Sequence, residues 1–340
     1  MSNAVRFIVT GDLHYRGTNP RAGTDDFQAA LNTKLSEVDL LARTHSCDGV
    51  IIPGDITDSP GITLPVIGDL YTRLAQVEKP VYVIPGNHDV WGANTATLSR
   101  TPYRLLARIT SNIYDLSRYE QLIPSGSEYI RITGSPYSAM TDRGLGDYLV
   151  PNLDAQKEWT HTALNIHVAH GMLLDYPLGR YTLIDDVANH PDAPDVLICG
   201  HEHIGFGAIK RGNTTFINPG ALCRLTAHPA EIERQVQVCL LTIEHDDSGQ
   251  TGDFAISTEL IPLQSARPGH EVLSREHLEE QASREELISS FMALLAEEGE
   301  GKFLETRDIV EDIARREHIP QDVVDEALKR IGQAREALGV

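Results

Sequence analysis

Apolar and polar positions over the first ninety or so residues alternate between two periods. VRFIVTG (5–11) is an apolar run ending at glycine, the pattern of a strand buried on both faces. Between 25 and 45, Phe27, Ala30, Leu31, Leu35, Val38 and Leu41 form a helical stripe. DGVIIPGD predicts a second buried strand, Pro65 to Val77 a second helix, and VYVIPGNHD a third strand. This alternation predicts parallel βαβ units with helices covering both sheet faces.

Residues 91–160 are less regular, with a helix expected near 99–110 and short strands near 129–134. ALNIHVAHG, DVLICGHEH, TTFINPGA and VQVCLLTIEH then supply four further strand candidates, a more β-rich half of the same domain. The pattern changes near Ile261–Pro268, and everything after Ser274 reads as helical. Ser274 and Thr306 suit N-caps, Gly299 and Gly301 a break, and Pro320 a helix start. The expected organisation is therefore an α/β sandwich over 1–265, two mixed β-sheets flanked by helices, followed by a helical module over 266–340. That module carries 18 acidic and 9 basic side chains in its last 70 residues. Its apolar positions at Leu287, Phe291, Leu294 and Leu295 mark amphipathic helices and not a disordered acidic tail. It suits a partner-docking element, a lid or a homodimer contact.

Composition adds exclusions. No apolar run approaches the roughly 20 residues that span a bilayer, and MSNAVRFIVTGDLH lacks a signal-peptide pattern, so a cytoplasmic location is expected. Cys47, Cys199, Cys223 and Cys239 are scattered without CxxC pairing and read as reduced core residues. A net charge of −20 argues against a protein that coats DNA. It leaves nucleic-acid enzymes open, because bound divalent ions bring local positive charge.

The polar residues that carry chemistry stand at the C-terminal ends of the expected strands, where ligands bind in open α/β sheets. The first strand delivers Asp12 and His14, the second Asp55, and the third Asn87, His88 and Asp89. NIHVAHG delivers His170, and VLICGHEH delivers His201 and His203. Carboxylate, carboxamide and imidazole without thiolate suit Mn²⁺, Fe or Zn²⁺ better than Ca²⁺ or Mg²⁺ alone. Seven such ligands (Asp12, His14, Asp55, Asn87, His170, His201 and His203) are too many for one tetrahedral ion. They suit two ions about 3.5–4 Å apart that share a carboxylate, activate water and clamp an in-line displacement.

GDLH, GDITD, GNHD, AHG and GHEH, in this order, resemble the five-part signature of the calcineurin-like metallophosphoesterase superfamily over residues 5–225. The resemblance implies that Asp12, His14, Asp55 and His203 hold one ion. Asp55, Asn87, His170 and His201 would hold the other, with Asp55 bridging. It implies hydroxide attack on phosphorus between the ions, with His88 protonating the leaving oxygen or stabilising the transition state. Asp89 is then expected to orient His88 or its loop, with Glu202 pointing away and Asp58 serving as a cap or turn residue. His167, inside the strand, is expected to be a packed or hydrogen-bonded histidine.

The substrate is less legible. GDITD has Asp58 where a purple acid phosphatase-type site needs tyrosine, and IPGNHD lacks the arginine and glutamate of Ser/Thr protein phosphatases. GDITDSP, SNIYDL followed by GSPY, and INPGALCR resemble the SbcD-type branch, DNA double-strand-break repair nucleases that work with an SMC-like ATPase. A shortened capping region and the acidic charge count against that branch. The alternatives are a cyclic-nucleotide phosphodiesterase and a non-catalytic binding protein on the same fold. Residues 303–338 also have a helix–turn–helix rhythm, for which a plain helical hairpin is the alternative.

Overall fold

The computed structural model describes residues 4–126, 128–151, 162–177, 181–245 and 254–274, together with a few positions between 320 and 330. The helical module expected after Ser274, with its helix–turn–helix alternative, lies outside these residues apart from those few positions. The body they define is an α/β sandwich of two six-stranded mixed sheets.

In the first sheet, β1 (Ala4–Val9), β2 (Gly49–Ile52), β3 (Val81–Val83) and β4 (Ile113–Asp115) run parallel in that order. The second sheet draws on β5 (Gln121–Ser125), β6 (Glu128–Gly134), β7 (Thr162–Gly171), β10 (Val196–His201), β11 (Gly207–Arg211) and β12 (Thr214–Asn218). Its order is β11-β12-β10-β7-β6-β5. Strands β8 (Leu173–Leu174) and β9 (Thr182–Leu183) form a separate small pair. β13 (Gln237–His245) returns antiparallel to β1, and β14 (Phe254–Pro262) closes the edge of the first sheet.

The apolar runs explain the layers. In β1, Phe7 and Val9 face inward and pack with Ile132, Ile166, Val168 and Ile198 of the second sheet. Ile8 points the other way and joins Leu31, Leu35 and Val38 of α1 (Phe27–Thr44) and Leu70 and Leu74 of α2 (Leu64–Ala75). Side chains alternate faces along a strand, and both faces here are apolar because both are covered. The outer face of the second sheet packs Leu197, Cys199 and Phe216 against Tyr148, Ile184 and Val187.

The irregular middle departs most from the sequence reading. The helix expected near 99–110 is split into a 3₁₀ turn over Thr95–Arg100 and α3 (Pro102–Ile109), separated by Thr101, whose hydroxyl accepts from Arg104 N–H. Strands β4, β5 and β14 were not expected, because each is short or half-exposed and lacks a continuous apolar run. The body also continues past residue 265: Val272 and Leu273 pack on Ala22 and Ala227, and Ser274 N–H bonds Ala22 O at 2.7 Å. Among the described residues, no helix is long and apolar enough to cross a membrane.

Candidate metal centre

Parallel strands of both sheets end at one rim. Asp12 and His14 follow β1, Asp55 follows β2, Asn87 and His88 follow β3, His170 lies near the end of β7, His201 ends β10, and His203 stands just beyond. All seven sequence-predicted ligands meet there. Three of them, His14 (φ 45°), Asp55 (φ 45°) and His201 (φ 86°), sit in left-handed backbone that costs a non-glycine residue about 1–3 kcal/mol.

The donors form two adjoining pockets. In one, His14 Nε2 lies 3.0 Å from His203 Nε2 and 3.5 Å from Asp55 Oδ2, and Asp12 Oδ2 lies 3.4 Å from His203 Nε2. In the other, Asn87 Oδ1 lies 2.9 Å from both His170 Nε2 and His201 Nδ1. Asp55 Oδ2 is 3.3 Å from His170 Nε2, so one carboxylate oxygen borders both pockets. Asp12, His14, Asp55 and His170 are buried.

The surrounding hydrogen bonds aim these donors. His170 Nδ1 donates to Pro53 O at 2.7 Å, leaving the Nε2 lone pair toward the pocket. Asp55 Oδ1 accepts His88 N–H at 2.8 Å, which fixes the carboxylate and frees Oδ2. Gly86 permits this contact, since a Cβ there would stand 2.2 Å from Asp55 Oδ1. Asp12 accepts His201 N–H, tying the first sheet to the second.

Electrostatics point the same way. Burial opposes the charge on Asp55, but the facing His170, with His14 and His88, overrides it and holds the carboxyl below its usual range. Burial likewise opposes charge on His170, but Asp55 outweighs it and pushes it up to about 9, so that without an ion Nε2 carries a proton that a divalent cation would displace. Burial and the His170 charge push His201 down to about 4. A set of anionic carboxylates and inward imidazole nitrogens packed this closely fits divalent cations. Asp12, His14, Asp55 and His203 suit one ion, and Asp55, Asn87, His170 and His201 the other.

His88, expected to act in catalysis, and Asp89, expected to orient it or its loop, are placed differently. His88 Nδ1 donates to Asp58 O at 2.7 Å, and its ring stands edge-on to His14 with centroids 4.5 Å apart. Asp89 is fully buried and its carboxylate faces the chain, not the pocket. It accepts from Gly86 N–H, Ile56 N–H, Thr57 N–H and the Thr57 hydroxyl. It therefore locks the Asp55 loop to the Asn87–His88 loop. Glu202 turns away and accepts from Ile204 and Gly205 N–H. His167 is buried between Thr133 Oγ1 at 2.8 Å and Asp147 O at 3.0 Å.

Asp58 is more than a turn residue. Its Oδ1 lies 3.6 Å from His14 Nδ1, its Oδ2 pairs with Arg16 at 3.1 Å, and its carbonyl fixes His88. Asn218 was also missed: its amide donates to Glu202 O, and its Oδ1 accepts Gly220 N–H. Position in the blocks GDITD and INPGALCR is the signal that could have found both.

Residues 5–205 match the family model of the calcineurin-like phosphoesterases. That span is more than half of the chain, and the chain belongs to this family, with a fold and donor set of the metallophosphoesterase type. No curated protein matches it. Among solved structures, a putative 5'-nucleotidase from Staphylococcus aureus is similar at 15% identity and TM-score 0.50, over 83% of this chain and 58% of that one. A dimetal phosphatase from Danio rerio matches at 13% identity and TM-score 0.44, over 76% of this chain and 98% of that one. The calcineurin-like phosphoesterase YfkN from Bacillus subtilis matches at 13% identity and TM-score 0.44, over 81% of this chain and 94% of that one. At such identities the S. aureus match establishes shared fold alone.

Proposed function

We propose that the chain hydrolyses phosphodiester bonds with two divalent ions, most suitably Mn²⁺, and that DNA is its substrate. The observation that carries the hydrolytic reading is the position of Asp55 Oδ2, 3.5 Å from His14 Nε2 and 3.3 Å from His170 Nε2. One buried carboxylate thus serves both donor pockets. Two ions held there supply Lewis acidity, which lowers the pKa of water and offsets the charge of the phosphoryl oxygens. Asp12, His14 and His203 would hold one ion and Asn87, His170 and His201 the other, with Asp55 shared. His88, its Nδ1–H committed to Asp58 O, exchanges protons at Nε2. As imidazolium it gives the Nε2 proton to the leaving oxygen, which departs as an alcohol.

The DNA reading rests on GDITDSP, SNIYDL with GSPY, and INPGALCR, the blocks that resemble the SbcD-type branch, and it brings an SMC-like ATPase as partner. The net charge of −20 favours a second reading, a small substrate such as a cyclic nucleotide. Purified chain with Mn²⁺ is tested on bis(p-nitrophenyl) phosphate, linear duplex, single-stranded DNA, cyclic mononucleotides and a phosphomonoester. Cleavage of the diester and of DNA supports the proposal. Cleavage of cyclic nucleotide without DNA replaces the nuclease by the second reading, and turnover of the monoester alone overturns both.

A further inference from the structure

Lys34 interrupts the apolar stripe of α1. It lies between Leu31 and Leu35 on the face that packs against the first sheet, and only 8% of it is exposed. A buried ammonium is costly unless its hydrogen bonds are met. Among the described residues its hydrogen bond goes to one backbone carbonyl, Leu222 O at 2.8 Å.

That carbonyl belongs to a short bracket beneath the metal centre. Gly220 (φ 86°) turns the chain so tightly that a Cβ would stand 2.9 Å from His203 O. Ala221 N–H then donates to His203 O at 3.0 Å, and Leu222 N–H donates to Asp12 O at 2.9 Å. Two consecutive peptides thus hold the backbones of two ligands that come from different sheets. The bracket's own carbonyls are met by cations: Arg234 donates to Ala221 O and Cys223 O, and Lys34 to Leu222 O. Leu222 is pinned on both sides of its Cα, its N–H on Asp12 O and its C=O under the Lys34 ammonium, and the charge-assisted bond fixes the backbone at this point.

We propose that Lys34 is a positioning residue for the ion held by Asp12, His14 and His203, acting by anchoring the backbone of Leu222. The contacts are asymmetric. Asn87 and His170 are held by other bonds, His170 through Pro53 O and Asn87 in the loop that Asp89 secures, and only His201 is tied to Asp12, through its N–H. Loss of the Lys34 ammonium therefore loosens the Asp12, His14 and His203 site far more than the other. The lowering of the Lys34 pKa to about 8 by burial agrees with an ammonium held where solvation is poor.

This inference rests on the dinuclear reading, and its test separates the two. Metal-stripped full chain is titrated with Mn²⁺ by calorimetry, as wild type, Lys34→Met and Lys34→Arg, with metal-free thermal unfolding recorded alongside. The wild type binds two ions. Lys34→Met weakens one of them at least tenfold and leaves the other within about twofold, and Lys34→Arg restores most of the loss. Wild type with two ions and Lys34→Met with both affinities unchanged, or both lowered by the same factor, overturns the proposal alone. Wild type that binds fewer than two ions overturns the dinuclear reading and this proposal with it. Lys34→Gln, which keeps a neutral donor, replaces the methionine variant if that variant does not fold, and is judged by the same split.

Discussion

The Nε2 atoms of His14 and His203 face each other at 3.0 Å, beside the carboxylates of Asp12 and Asp55. At that distance the two nitrogens share one N–H between them, or, with both ring N–H groups on Nδ1, aim two lone pairs at a cation. Removing one donor from this pocket should cost one ion. After dialysis against excess Mn²⁺, the wild type retains two ions per chain, His203→Ala about one, and Asp55→Ala one or none. Equal metal content in all three proteins would contradict the arrangement.

His88 separates binding from turnover. Its side chain stands edge-on to His14 but belongs to neither donor pocket, and its Nδ1 is committed to Asp58 O. His88→Ala should keep both ions and lose about 10²–10⁴-fold in kcat on bis(p-nitrophenyl) phosphate, the usual contribution of general acid–base catalysis. Wild-type-like turnover would remove His88 from the reaction.

Asp89 answers to stability. Thr57 gives it both an N–H and a hydroxyl at 2.8 Å, and Ile56 and Gly86 N–H complete the set. Asp89→Ala strands three buried N–H groups and should cost about 3–5 kcal/mol of unfolding free energy. Asp89→Asn keeps an acceptor oxygen and should cost clearly less. Urea denaturation of metal-free protein measures both, and a loss below about 1 kcal/mol for the alanine variant would refute the role.

The sequence makes the ligands legible because each follows a buried strand, and a strand end at a sheet rim has few places to go. The same reasoning finds β1 to β3 and the sandwich, where runs such as Val50–Ile52 are apolar on both faces. It fails where the determinant is a backbone contact between segments distant in sequence. Asp58 acts on His88 through its carbonyl, Lys34 reaches a carbonyl 188 residues away, and neither bond leaves a periodic trace. Asp89, read as orienting His88 or its loop, does secure that loop, because successive residues in the tight turn Asn87–Asp89 point in different directions and its carboxylate meets Gly86, Ile56 and Thr57. β14 escaped because its exposed positions interrupt the apolar run that the strand reading looked for.

His167 sets a pH dependence that can be isolated. It sits in a buried slot where its Nε2–H donates to Asp147 O and its Nδ1 accepts from Thr133 Oγ1. Burial, with Arg131 adding to it, pushes its pKa down from 6.5 to about 4. Between those values the unfolded chain binds a proton that the native chain refuses, so this contribution is lost as pH falls from 6.5 toward 4. His201, pushed to about 4 by burial, acts in the same direction, whereas Asp89, pushed up to about 6 by burial, opposes both. His170, up at about 9, acts only above 6.5, where stability falls as pH rises. Comparison with His167→Gln in EDTA cancels the other three groups. The variant is less stable at pH 7, and its deficit relative to wild type should shrink by about 2–3 kcal/mol by pH 4.5. Chemical denaturation at the two pH values measures the change, and a constant deficit would show that His167 accepts a proton in the folded chain.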